Sequence, residues 1–192
     1  MNALLTATEF RLSPRGQGAL GIATLRFQFP YMEKGGKRPD SPAVAHATVR
    51  AAVAEARERA NGVPLFAGGR SFGGRMTSQA QALEPLPGVR GLVFFAFPRH
   101  PAGKPSVIRA EHLSNVAIPM LFLQGSNDAL AELDLLQKTL AGLGGRATLE
   151  LIADADHAFH VPARTGRKDS EVLAAALATA VRWMTDGATQ PS

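Results

Sequence analysis

From about residue 23 to residue 184, short apolar runs alternate with longer stretches in which apolar positions recur every three or four residues. The first pattern marks strands and the second marks amphipathic helices. "ATLRFQF" (Ala23–Phe29) predicts a strand, and "PYMEKGGKRPD" behind it a polar Gly/Pro-rich loop. Ser41 then serves as an N-cap with Pro42 in the first helical position, opening a helix to about Ala60. "VPLFAG" (63–68) predicts the second strand, and a second helix starts at Phe72. "GLVFFAFP" (Gly91–Pro98) is apolar almost throughout, as a strand buried on both faces of a parallel sheet must be. "IPMLFLQG" (Ile118–Gly125) predicts a fourth strand, followed by a helix carrying Leu130, Leu133, Leu136 and Leu140 on one face. "ATLELIA" (Ala147–Ala153) predicts a fifth, and a last helix runs from an N-cap at Ser170 to Met184.

Five such alternations predict an α/β fold, a three-layer sandwich with a mostly parallel sheet between helices. Residues 1–186 form one domain in this reading, and "GATQPS" (187–192) a flexible tail. Chemistry in parallel sheets gathers at the carboxyl ends of strands. That rule selects the loops at 30–41, 68–75, 98–106, 124–130 and 154–168.

The loop at 68–75 holds Gly69-Arg70-Ser71-Phe72-Gly73, a G-x-S-x-G between a strand and a helix. That context is what a nucleophile elbow requires: a tight turn lifts the serine above the sheet edge, over a helix N-terminus that favours negative charge. A serine hydroxyl also needs a base, and the base a carboxylate to orient it. Asp128 follows the fourth strand in "QGSNDAL", and His157 follows the fifth in "DADHAFH". The order Ser71, Asp128, His157 is the acid-then-histidine order of α/β-hydrolases. The amide of Phe72, next after the serine, is one candidate oxyanion donor. His160 rivals His157 as base but stands further from the strand, and Asp128 can also cap a helix beginning near Ala129. Asp154 and Asp156 are surface acids or, with the histidines, metal candidates, although no helical i,i+4 pair or thiolate supports a metal. His46 and His112 fall in helical segments and read as structural. Tyr31, Arg70, Arg99 and His100 are candidates for a substrate rim.

Bulk properties narrow the partners. The chain has 192 residues, 45% of them hydrophobic, and no cysteine, so disulfides and thiolate chemistry are excluded. No apolar run approaches the roughly 18–20 residues that span a bilayer, and the N-terminal residues carry no basic n-region. A cytoplasmic protein, with no membrane partner, is expected. The net charge is +5, but the basic residues are scattered and aromatics make up only 6%, so nucleic-acid binding is not expected. The predicted rim carries Lys34, Lys37, Arg38, Arg70, Arg99, Lys104, Arg164, Arg167 and Lys168. Either these focus an anionic acyl substrate toward the site or they simply face water. No cofactor is called for by any motif.

Five segments, "LRFQFPYMEKGGKRPD", "GGRSFGGRMTS", "HPAGKP", "LQGSNDAL" and "DADHAF", together resemble the small bacterial α/β-hydrolases related to dienelactone hydrolase. They are similar in particular to the group sharing its domain with testis-expressed protein 30 and a histone-acetyltransferase (NSL) complex subunit. The resemblance runs from about Ala19 to Met184. It implies an α/β-hydrolase fold, Ser71 as nucleophile, Asp128 as acid, His157 as base, and hydrolysis of a small ester, lactone or similar acyl bond without cofactor. Two features depart from that group. Its members place further strands before the first one recognised here, and no His-Gly dipeptide, the usual source of the second oxyanion donor, occurs in this sequence. In the usual strand order a strand is therefore missing between those at 23–29 and 63–68. Either the two close up, or Leu4–Leu12 fills the gap, or the chain is a shortened gene product. A non-catalytic binding or scaffold protein on the same fold is the alternative those departures motivate. Only one short helix fits between Arg99 and Pro119, so the site is expected to be lidless and open.

Overall fold

The computed structural model describes residues 2–7, 21–98 and 110–187. Six strands are found among them: β1 (Asn2–Ala7), β2 (Ile22–Phe27), β3 (Leu65–Arg70), β4 (Val89–Phe95), β5 (Met120–Gly125) and β6 (Ala147–Ile152). They form one sheet in the order β2-β1-β3-β4-β5-β6, and every pairing is parallel. The gap in the expected strand order is filled by β1. Ala7 lies in register with Phe27 on one side and with Gly69 on the other. The second of the three alternatives therefore holds for residues 4–7, while 8–12 lie outside the described residues.

The helices are α1 (Pro30–Glu33), α2 (Pro42–Ala60), α3 (Phe72–Leu83), α4 (Leu133–Ala141) and α5 (Asp169–Gly187). Alternation along the central strands builds two cores. Leu65 and Ala67, Leu92 and Phe94, Met120 and Phe122 point to one face, where Ala45, Val49, Val53, Ala80, Leu136 and Leu140 of α2, α3 and α4 cover them. Phe66, Val93, Phe95, Leu121 and Leu123 point to the other, where Val172, Ala180 and Met184 of α5 close over them. Apolar residues on both strand faces are what a parallel sheet between helices demands. No helix among the described residues is long and apolar enough to cross a membrane.

The N-terminus of α2 follows its local signals: the Val44 amide donates to Ser41 Oγ at 3.5 Å, with proline behind it. Two other expected helix starts do not hold. α5 begins at Asp169, so Ser170 is its second residue rather than its cap, and the Lys168 amide donates instead to Glu171 Oε2 at 3.0 Å. Nor does a helix begin near Ala129: α4 starts at Leu133 and leaves Leu130 in the preceding turn. The expected irregular loop at 30–41 contains the single helical turn α1, closed by the Tyr31 amide donating to Asp40 Oδ2 at 3.0 Å.

His112, in a 3₁₀ turn at Glu111–Asn115, hydrogen-bonds through Nε2 with Ser78 Oγ at 2.7 Å. Its pKa is lowered to about 4, first by burial and then by the positive charges of Arg75 and His46. Between pH 6.5 and about 4 the unfolded chain binds a proton here that the folded chain refuses. Stability is therefore highest above pH 6.5 and falls as the pH drops through that window, by up to about 3 kcal/mol from this residue. Urea melts of wild type and His112→Gln at pH 7 and pH 4.5 are expected to show a smaller acid loss in the variant. Equal losses would remove His112 as their cause.

Candidate active site

Strand β3 ends at Arg70 and α3 begins at Phe72, leaving Ser71 alone in the turn. Its φ of +49° and ψ of −117° are unusual for a residue with a Cβ and cost on the order of 1–3 kcal/mol. The turn is tethered on both sides. The Ser71 amide donates to the Phe95 carbonyl of β4 at 3.1 Å, and the Arg75 amide donates to the Ser71 carbonyl at 3.1 Å. The outer glycines allow the elements to close around it. A Cβ on Gly68 would lie 1.8 Å from the Val93 carbonyl oxygen, and one on Gly74 would lie 2.8 Å from that of Gly69.

Asp128 and His157 come from the loops after β5 and β6, which are knitted to each other. Ser126 N donates to Ile152 O at 3.0 Å, Asn127 N to Ala155 O at 2.9 Å, and Asp154 N to Ser126 Oγ at 2.9 Å. Gly125 makes this approach possible, since a Cβ there would sit 2.3 Å from the Ala155 carbonyl oxygen. Asp128 Oδ1 accepts from the Leu130 amide at 2.8 Å, so its local job is to close a two-residue turn, not to cap a helix at Ala129. Its other oxygen, Oδ2, lies 2.7 Å from His157 Nδ1, and His157 Nε2 lies 2.9 Å from Ser71 Oγ. The Asp128 side chain is fully buried, whereas that of His157 is 23% exposed. A carboxylate can only accept, so Nδ1 carries the proton and the Nε2 lone pair faces the serine hydroxyl. This relay can take a proton from Ser71 Oγ and hand it on.

Gln124, the last polar residue of an otherwise apolar strand, was not singled out by sequence reasoning. It is buried, with Oε1 accepting from the Phe97 amide at 2.9 Å and Nε2 donating to Asp128 Oδ2 at 2.5 Å. The signal was present in "LFLQG": a lone amide in a buried strand must find partners. Gln124→Leu leaves the Phe97 N–H without this acceptor and Asp128 Oδ2 without this donor. A stability loss of about 1–3 kcal/mol is expected in urea denaturation; an unchanged midpoint would contradict it.

The other candidates go elsewhere. His160 pairs through Nδ1 with Asp169 Oδ2 at 2.9 Å on the exposed surface; this contact raises the histidine pKa and lowers that of the carboxyl. It is His157, not His160, that meets Ser71. Asp154 pairs with Arg164 and Arg167, and Asp156 Oδ1 accepts from the amides of Ala158 and His160. No group of three or more His, Asp or Glu placed to hold a metal occurs among the described residues. Among the rim candidates, Arg70 donates from Nη2 to the His157 carbonyl at 3.0 Å, and the Tyr31 ring packs edge-on against Phe72, 6.0 Å between centroids. Lys34, Lys37, Arg38 and Lys168 are exposed. Arg99, His100 and Lys104 lie outside the described residues, as do residues 188–192 of the expected tail.

Solved structures share this architecture. A lidless α/β serine hydrolase of Xanthomonas campestris superposes with a TM-score of 0.67 at 21% identity, covering 94% of this chain and 81% of the other. TT1662 of Thermus thermophilus gives 0.60 at 24% identity, covering 94% and 89%. A monoacylglycerol lipase of Paleococcus ferrophilus gives 0.67 at 15% identity, covering 96% and 94%. At such identities these likenesses establish the fold. A family model described as "Alpha/beta hydrolase domain" matches residues 12–185, which takes in the serine turn and both partner loops. The chain is thus a member of the alpha/beta hydrolase domain family.

Proposed function

We propose that this protein is a serine hydrolase that cleaves a small acyl ester or lactone through Ser71, His157 and Asp128. The observation that carries this reading is the unbroken relay from hydroxyl to imidazole to buried carboxylate, at 2.9 Å and 2.7 Å. His157 Nε2 takes the Ser71 proton as Oγ bonds to the acyl carbon. The imidazolium is held by Asp128 and returns that proton to the leaving alcohol oxygen as the ester bond breaks. Water, deprotonated by the same nitrogen, then attacks the acyl carbon; the acyl–Oγ bond breaks, Nε2 returns the proton to Ser71 Oγ, and the acid leaves. The Phe72 amide, in the first turn of α3 and without an intrahelical acceptor, supplies one oxyanion donor. Ala7 aligns with Gly69, so β1 ends beside the serine strand; the residues that follow it, 8–20, lie outside the described ones. Exposed Lys34, Lys37 and Arg38 on the neighbouring loop favour an anionic acyl group.

A fluorophosphonate probe tests the reading against a binding or scaffold role. Stoichiometric labelling of wild type and none of Ser71→Ala is expected. Folded wild-type protein that resists the probe would exclude a competent nucleophile.

A further inference from the structure

The relay depends on a histidine in a loop whose backbone is itself unusual. Asp154 and Phe159 flank His157 with φ of +62° and +61°, although neither is glycine. Two left-handed residues within six positions cost free energy that the surroundings must supply. Much of that support is visible. Asp154 is held by Arg164, Arg167 and the side chains of Ser126 and Asn127, and Asp156 folds the next turn through its carboxylate. All these contacts join the loop to itself or to the loop that bears Asp128. They fix His157 relative to the acid and leave its distance to the serine to other contacts.

Arg70 crosses that divide, beside the relay itself and the edge-on contact of Phe95 with Phe159. Arg70 is the residue before Ser71, and its Nη2 donates to the backbone carbonyl of His157 at 3.0 Å, 87 positions along the chain. A charged donor on a carbonyl makes a stronger bond than a neutral one. This bond ties the histidine's own peptide to the end of the strand that presents the nucleophile. We infer that Arg70 is a positioning residue, one that sets the Ser71–His157 distance by pinning the histidine backbone, rather than a rim group that recruits substrate. The inference rests on the proposed Ser71–His157 chemistry for its kinetic consequence, but the contact itself does not.

The test compares wild type, Arg70→Met and Arg70→Lys with a neutral ester, nitrophenyl acetate, and an anionic one, its succinate half-ester. Thermal melts first establish that each variant is folded. Positioning predicts that kcat of Arg70→Met falls on the order of 10²-fold for both esters, as misplacement by about 1 Å does, with KM of the neutral ester unchanged. Lysine keeps the charge but not the reach or fork of the guanidinium, so Arg70→Lys should lose kcat as well and carries the test if Arg70→Met does not fold. A rim role predicts the opposite split, with kcat intact and KM raised for the anionic ester alone, and that result overturns the inference. So does an unchanged kcat in a folded variant. A second readout needs no turnover. The proton between His157 Nδ1 and Asp128 Oδ2 is expected to give a far-downfield NMR resonance in wild type that shifts or broadens in Arg70→Met. If wild type hydrolyses neither ester and takes no fluorophosphonate, the serine-hydrolase reading fails, and the resonance alone decides Arg70: unmoved, it rules out the positioning role.

Discussion

Ser71→Ala is expected to lower ester turnover by about 10⁶-fold while leaving the fold intact, because the hydroxyl and imidazole act as a unit. Alanine fits the site of serine and must adopt the same φ of +49°, so the strain of the turn is neither relieved nor increased. The contacts that set the turn are backbone ones, from Ser71 N to Phe95 O and from Arg75 N to Ser71 O, and survive the change. A melting temperature close to wild type should accompany the loss. His157→Ala should cost about as much, and the double variant no more than either single one, since removing one member already disables the relay. The residual rate, about 10³–10⁴ over water, would report what the Phe72 amide and substrate binding contribute alone. Steady-state kinetics on nitrophenyl acetate with active-site titration measures all three. Strictly additive losses would show that Ser71 and His157 do not work through one another.

The second large effect belongs to the fold. Gly68→Ala would place a Cβ 1.8 Å from the carbonyl oxygen, 2.8 Å from the carbonyl carbon and 3.0 Å from the amide nitrogen of Val93. All three are backbone atoms of β4, which is bonded on its far side to β5 and buried beneath helices on both faces. No side chain can move aside to relieve the overlap. Strands β3 and β4 must separate, and the Gly68–Val93 register goes with them. A loss of about 4 kcal/mol or more is expected, beyond what ordinary substitutions cost. Gly145→Ala is the control: nothing lies within 4 Å of a Cβ there, so its effect should stay within about 0.5 kcal/mol. Urea unfolding followed by circular dichroism compares the two. Equal midpoints would mean that the sheet can spread at β3 without penalty.

Features readable from the sequence were those set by neighbours in the chain. Ser41-Pro42 marks the first turn of α2, and the ends of β2, β3, β4, β5 and β6 fall within three residues of the apolar runs that predict them. Ser71, Asp128 and His157 were legible because each follows a strand, and the parallel topology carries all such loops to one edge. What escaped depends on residues distant in sequence. Leu4–Leu12 stood only as one of three ways to close the gap, because the place of β1 follows from pairing with β2 and β3 at once. The roles of Gln124 and Arg70 turn on partners 27 and 87 positions away. The helix expected at Ala129 failed for a local reason: the Asp128 carboxylate bonds the amide two residues on, which suits a turn and competes with a helix.

From β1 the chain steps outward to β2, then doubles back past β1 to lay down β3 through β6 in the opposite direction. That reversal falls between β1 and β3, and in open parallel sheets a crevice forms where the winding changes sense. Ser71 directly follows β3, at that reversal, so its location follows from how the ribbon is wound, before any side chain is chosen. The loop at 30–41, which follows β2, leaves the sheet at that same edge. Exchanging it between relatives should change which molecule is accepted while the reacting oxygen stays where it is.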